Sequence, residues 1–121
     1  SAARYPRLRM IFSHAGGTMP FLAERLIRTP SLEPALAPSV PNGVLHELQR
    51  FYYDTAQTSH RYAMASAREV IPVSQLLFGT DFPYRSAEEH VRGLAGCGFS
   101  EPELDAIACG NARRLLPALA T

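Results

Sequence analysis

The chain has 121 residues, a formal net charge of +1, and 46% hydrophobic against 19% charged residues; that composition excludes wholesale disorder and collagen-like repeats and favours one domain. The near-neutral balance argues against a nucleic-acid or anionic-membrane surface, which needs a basic excess. All twelve basic residues are arginine, so a Schiff-base or P-loop lysine is not available to any mechanism.

The first apolar run, Leu8-Arg9-Met10-Ile11-Phe12, reads as a buried strand. After it, Thr18 can cap a helix over residues 19–28, in which Leu22 and Leu26 share a face and Glu24 sits four positions before Arg28. Residues 29–42 hold Pro30, Pro34, Pro38 and Pro41, which oppose both helix and ladder hydrogen bonding. They read as a semi-rigid surface connection, with an active-site lid as the sharper alternative. A second strand follows at Phe51-Tyr52-Tyr53. Gln57, Thr58 and Ser59 read as turn and cap residues, Ser59 starting a helix to Val70 with Ala63, Ala67, Val70 and Ile71 facing inward. Leu76-Leu77-Phe78 is the third strand. Ser86 with Glu89, and Ser100 with Glu103, fit the capping-box pattern. The helix from Ser86 should end at Gly96 or Gly98 and the next near Cys109-Gly110, with a last helix from Asn111 through Leu116. Strands alternating with helices imply parallel pairing, an α/β protein.

Cys97 and Cys109, twelve positions apart, make neither a Cys-x-x-Cys pair nor a zinc knuckle and read as reduced thiols. No run approaches the roughly 18 apolar residues of a membrane span, and the N-terminus lacks a signal-peptide core. The expectation is a cytoplasmic protein without membrane or nucleic-acid partners.

Each strand delivers a chemically capable residue as it finishes: Ser13-His14 after Phe12, Asp54 after Tyr53, and Gly79-Thr80-Asp81 after Phe78. Parallel strands put these ends on one face, where α/β folds place their sites. One imidazole and two carboxylates there could hold a divalent metal, although a strand-end Asp such as Asp54 equally often caps the next helix instead. Ser13 points away from its neighbour His14 and is not an activated nucleophile. Arg85, just past the third strand end, could pair with an acidic substrate or be a solvated helix-start arginine. The glycines of His14-Ala15-Gly16-Gly17 read as a sharp turn beside His14 rather than as a nucleotide loop.

Four motifs, in order, carry a resemblance: His14-Ala15-Gly16-Gly17; Phe51-Tyr52-Tyr53-Asp54-Thr55-Ala56; Leu77-Phe78-Gly79-Thr80-Asp81-Phe82-Pro83; and Gly110-Asn111-Ala112-Arg113-Arg114-Leu115. Together they resemble the C-terminal half of the amidohydrolase-related family, whose members include aminocarboxymuconate-semialdehyde, resorcylate and methylsalicylate decarboxylases. The resemblance implies a (β/α)₈ TIM barrel with one divalent ion, zinc or manganese, at its C-terminal mouth. It places metal ligands at His14 and Asp81. The His-x-His pair that completes the family's metal site has no counterpart here, and the family's catalytic histidine after the Tyr-x-Asp strand falls on Thr58, with His60 two positions later as the acid/base candidate.

A complete barrel takes about 250 residues, and only three strands are legible. Residues 1–121 are therefore expected to form a partial barrel, the C-terminal part of such a domain, completed by an N-terminal barrel half or by a second copy in a homo-oligomer. The function implied is metal-dependent chemistry on a small carboxylated substrate, foremost non-oxidative decarboxylation, with hydrolysis by the same family as the alternative. A remnant acting only by association is the reading from a different class.

Overall fold

The three apolar runs meet as neighbours in the structure, a computed structural model that describes residues 4–119. β1 (Ile11–Phe12), β2 (Tyr52–Asp54) and β3 (Leu76–Leu77) form one parallel sheet in the order β1-β2-β3. Ile11 pairs with Tyr52 and Phe12 with Tyr53, while Tyr53 and Asp54 pair with Leu76 and Leu77. Central β2 puts Tyr53 at the middle of the core, with Met64, Ile71, Leu76, Leu94 and Ile107. The phenol of Tyr53 donates to the Leu48 carbonyl at 2.8 Å, and burial pushes its pKa up to about 12.

The outer strands differ. β3 is buried on both residues, whereas Ile11 and Phe12 of β1 remain 52% and 37% exposed. The expected buried first strand is thus an open edge, because none of the described residues covers its outer side.

Helix α1 (Met19–Leu32) runs further than expected and carries Pro30 in its last turn. There the Thr29 hydroxyl donates to the Arg25 carbonyl at 3.0 Å, so the missing proline N–H interrupts only the end of the ladder. Its buried residue is Ala23, while Leu22 and Leu26, the expected inner face, are about one-third exposed. Thr18 makes no side-chain cap. The proline-rich connection is itself helical: a 3₁₀ segment over Pro34–Ser39 leads to α2 (Val44–Gln49), which the sequence reading did not expect. The buried Glu47 of α2 pairs with Arg50 at 2.9 Å.

α3 (Arg61–Val70) buries Met64, Ala67 and Val70. Its cap is His60, not Ser59: the His60 Nδ1 accepts from the Ala63 N–H at 3.3 Å. α4 (Ala87–Ala95) begins with the expected capping box of Ser86 and Glu89 and ends at Gly96. The second box, Ser100 with Glu103, starts α5 (Glu101–Asp105), which passes through a π-helical turn (Ala106–Gly110) into α6 (Asn111–Leu115). The two expected C-terminal helices are therefore one run with a bulge. Fully buried Asn111 explains its motif: its amide donates to the Val73 and Leu76 carbonyls at 2.7 Å each, fastening α6 to β3. Among the described residues no helix is long and apolar enough to cross a membrane.

Candidate functional site

Parallel pairing brings the loops after β1, β2 and β3 to one rim. The chain bends sharply there. Among the described residues four non-glycine residues have positive φ: His14 (55°), Ala15 (50°), Gln57 (56°) and Asp81 (60°). Every one lies just past the C-terminal end of a strand. Such conformations cost on the order of 1–3 kcal/mol each and persist only where surrounding contacts over-determine them. Gly16 and Gly17 continue the first turn at φ 79° and 61°. A Cβ on Gly16 would lie 3.0 Å from the Tyr53 ring, so the loop lies directly on the core tyrosine.

The contacts that hold these bends converge on residues 54–57. Asp54 Oδ1 accepts from the His14 N–H at 2.9 Å and from the Ala56 N–H at 3.0 Å. Its carboxylate thus ties the β1 loop to the β2 loop and does not cap the next helix, whose cap is His60. The His14 Nδ1 lies 3.0 Å from the Ala56 carbonyl oxygen. A carbonyl can only accept, so Nδ1 donates to it, and in the neutral imidazole the lone pair is then on Nε2. Next in sequence, Gln57 donates its amide N–H to Asp81 Oδ2 at 3.1 Å. His14 and Asp81, 67 positions apart, are therefore held by consecutive residues of one turn.

The other sequence candidates sit differently. His60 is exposed, uses Nδ1 to cap α3, and has its ring 6.0 Å from that of Tyr62; no hydrogen bond joins it to His14 or Asp81 among the described residues. Arg85 is half-buried at the start of α4, where its charge helps hold the Glu89 carboxyl below the usual carboxylate range, after the larger effect of the Ser86 N–H and hydroxyl. Among the described residues no three His, Cys, Asp or Glu side chains come together as a metal-ligand group. A cleft of about 240 Å³ opens beside His14 between the first turns of α1 and α3, walled by Pro20, Phe21, Thr58, Tyr62 and Ser66.

Sequence reasoning missed the parts that do the holding. The Ala56 carbonyl is backbone and leaves no trace in residue identity. Gln57 read as a turn residue, and its partner lies 24 positions away. The one available signal was the Tyr-Asp-Thr-Ala-Gln run itself, whose polar residues begin where the strand stops.

A family pattern described as "Amidohydrolase" matches residues 1–118. A 6-methylsalicylic acid decarboxylase of Penicillium expansum is 34% identical over 79 residues, covering 65% of this chain and 24% of the relative. The 2,6-dihydroxybenzoate decarboxylase of Rhizobium superposes with a TM-score of 0.80 at 22% identity, over 97% of this chain and 37% of that one. The dihydroxybenzoic acid decarboxylase of Polaromonas, solved with manganese and 2-nitroresorcinol, superposes with a TM-score of 0.76 at 22% identity, over 96% and 36%. The chain thus spans roughly a quarter to two-fifths of these relatives. Its three parallel strands and their helices are a partial (β/α)₈ barrel of the same fold. By that fold and by a match along almost its whole length, the chain belongs to the amidohydrolase family.

Proposed function

We propose that this chain supplies the His14–Asp81 part of a divalent-metal site in a carboxy-lyase that removes CO₂ non-oxidatively from a small hydroxy-aromatic acid. One observation carries the reading: a single turn holds both side chains, through Ala56 and Gln57, at the C-terminal rim of the strands. The relatives named for decarboxylation of 6-methylsalicylic and dihydroxybenzoic acids supply the substrate class.

The donor set fits such an ion. Imidazole nitrogen and carboxylate oxygen are ordinary ligands for zinc and manganese, and a metal-ligating histidine normally donates its other N–H to a carbonyl or carboxylate. His14 does this with Ala56. Asp81 has one oxygen engaged by Gln57, and the other is the ligand in this reading. The manganese in the Polaromonas relative favours manganese over zinc. Two ligands do not complete a catalytic site, which takes at least three, so the remaining donors come from outside these residues, from an N-terminal barrel half. When bound, the ion supplies positive charge that polarises substrate oxygens. The chain's own residues fix the tautomer of His14 and the orientation of Asp81.

The test is metal content and CO₂ release with 6-methylsalicylate and 2,6-dihydroxybenzoate in the manganese-loaded protein that includes the N-terminal barrel half. His14→Ala and Asp81→Asn are each expected to weaken metal binding by about tenfold or more and to abolish CO₂ release without loss of helical signal. Metal binding untouched by both substitutions overturns the reading. Hydrolysis of an ester or amide with no CO₂ release would assign the same rim to hydrolysis instead. His60→Asn, which keeps an N-cap acceptor and removes the imidazole, separates the cap from a proton-transfer role.

A further inference from the structure

The turn that holds both candidate ligands is itself held from below by a buried histidine. His90, on α4, is 1% exposed, and its Nδ1 lies 2.8 Å from the Ser59 hydroxyl. Ser59 is also buried and donates its single hydroxyl proton to the Thr55 carbonyl at 3.1 Å. Its oxygen can therefore only accept from His90, so Nδ1 carries the imidazole proton. The result is a chain from α4 through Ser59 that closes residues 55–59 into a fixed loop. Ala56 and Gln57 stand at its apex. Thr55 adds a second anchor, its hydroxyl accepting from the Gly79 N–H at 3.2 Å, two residues before Asp81.

Packing alone does not account for a histidine here. Among the described residues the buried Nε2 of His90 has no partner, a cost that an apolar side chain of similar size would avoid there. Among the described residues the hydrogen bond that the imidazole makes goes to the loop, and the helix comes close enough to make it: a Cβ on Gly93 would lie 2.0 Å from the Ser59 carbonyl oxygen. Gln57, at φ 56°, needs surroundings that enforce its conformation.

We propose that His90 is a positioning residue for the His14–Asp81 rim, acting through Ser59 on the 55–59 turn. The proposal deepens the metal-site reading and rests on it for its functional meaning; its geometric content stands apart from any metal. His90→Leu removes the donor, Ser59→Ala removes the acceptor without touching α4, and His90→Asn restores an N–H where Nδ1 stood. In protein carrying ¹⁵N-labelled histidine, long-range ¹H–¹⁵N spectra report the tautomer of His14 directly. The wild type is expected to hold His14 in its Nδ1–H form. In His90→Leu and Ser59→Ala that form should fall to a minority as Ala56 drifts from register, and manganese affinity should fall about tenfold. In His90→Asn both should return. An unchanged His14 tautomer in His90→Leu and Ser59→Ala overturns the proposal. Loss of the fold in both variants also overturns it, since His90 would then serve stability alone. If the wild-type protein that includes its N-terminal barrel half binds no manganese while the tautomer still follows His90, the metal reading fails and the positioning role stands.

Discussion

Tyr53 shows how one side chain can be read at several levels. Its ring fills the centre of the core and lies under Gly16, while its hydroxyl reaches the Leu48 carbonyl. Burial raises its pKa from about 10 to about 12, because the low-dielectric core disfavours the phenolate. The folded state therefore holds its proton more tightly than the unfolded state. This contribution to stability is complete below pH about 10 and is lost as pH rises from there through 12. Spectrophotometric titration should show this tyrosine ionising late and together with unfolding, and Tyr53→Phe should remove the late step. A Tyr53 that ionises with the exposed tyrosines in the folded protein would contradict this. Residue identity announced an apolar strand at Phe51-Tyr52-Tyr53, but not which of the two tyrosines faces inward, since alternation leaves both choices open until a register is chosen.

Between elements, the tightest junction is α4 against the 55–59 turn. Gly93→Ala would drive a methyl group into the Ser59 carbonyl. Overpacking at such a point is expected to cost about 3 kcal/mol, read as a lowered midpoint in urea, with α4 displaced from the turn. A neutral Gly93→Ala would show that the junction is loose. The elements that were legible in the sequence are those set by local chemistry: both capping boxes form as the Ser-x-x-Glu spacing requires. Where contacts are distant, local reading failed. Ser59 looked like a cap, but its hydroxyl is drawn to Thr55 and His90, so His60 caps α3 instead. Pro30 looked like a helix stop, yet the last turn of α1 tolerates it. α2 went unexpected because it is only six residues long and is entered from Gly43 at φ 87°. The π-helical turn lets Asn111 reach two carbonyls beside β3, a long-range requirement that periodicity cannot express.

At the scale of the whole molecule, the sheet is finished on one side only. β3 is covered by the C-terminal helices, while Ile11, Phe12 and, on α1, Phe21 (85% exposed) face outward. Apolar surface left in water forgoes about 25 cal/mol per Å². The 121 residues taken by themselves are expected to self-associate, with the sedimentation coefficient rising with concentration and falling back when Ile11 and Phe21 are both replaced by serine. An ideal monomer at all concentrations would contradict this. Parallel strands, helical crossovers and the common rim of His14 and Asp81 were all readable from the order of the apolar runs and the polar residues ending them. That three strands of eight leave an unpaired edge was readable as well; that β1 rather than β3 is the bare one was not, because a strand's cover is a property of its neighbours rather than of its own letters.

The pairing of β2 with its two neighbours has one more consequence. The alignment that sets Tyr53 opposite Phe12 and Leu76 also delivers Ala56 to His14 and Gln57 to Asp81. A slip of one position would turn Tyr53 out of the core and carry both partners away together. Errors in threading this strand are thus proofread by the interior, and a chain that settles with the wrong alignment has no half-working rim to offer.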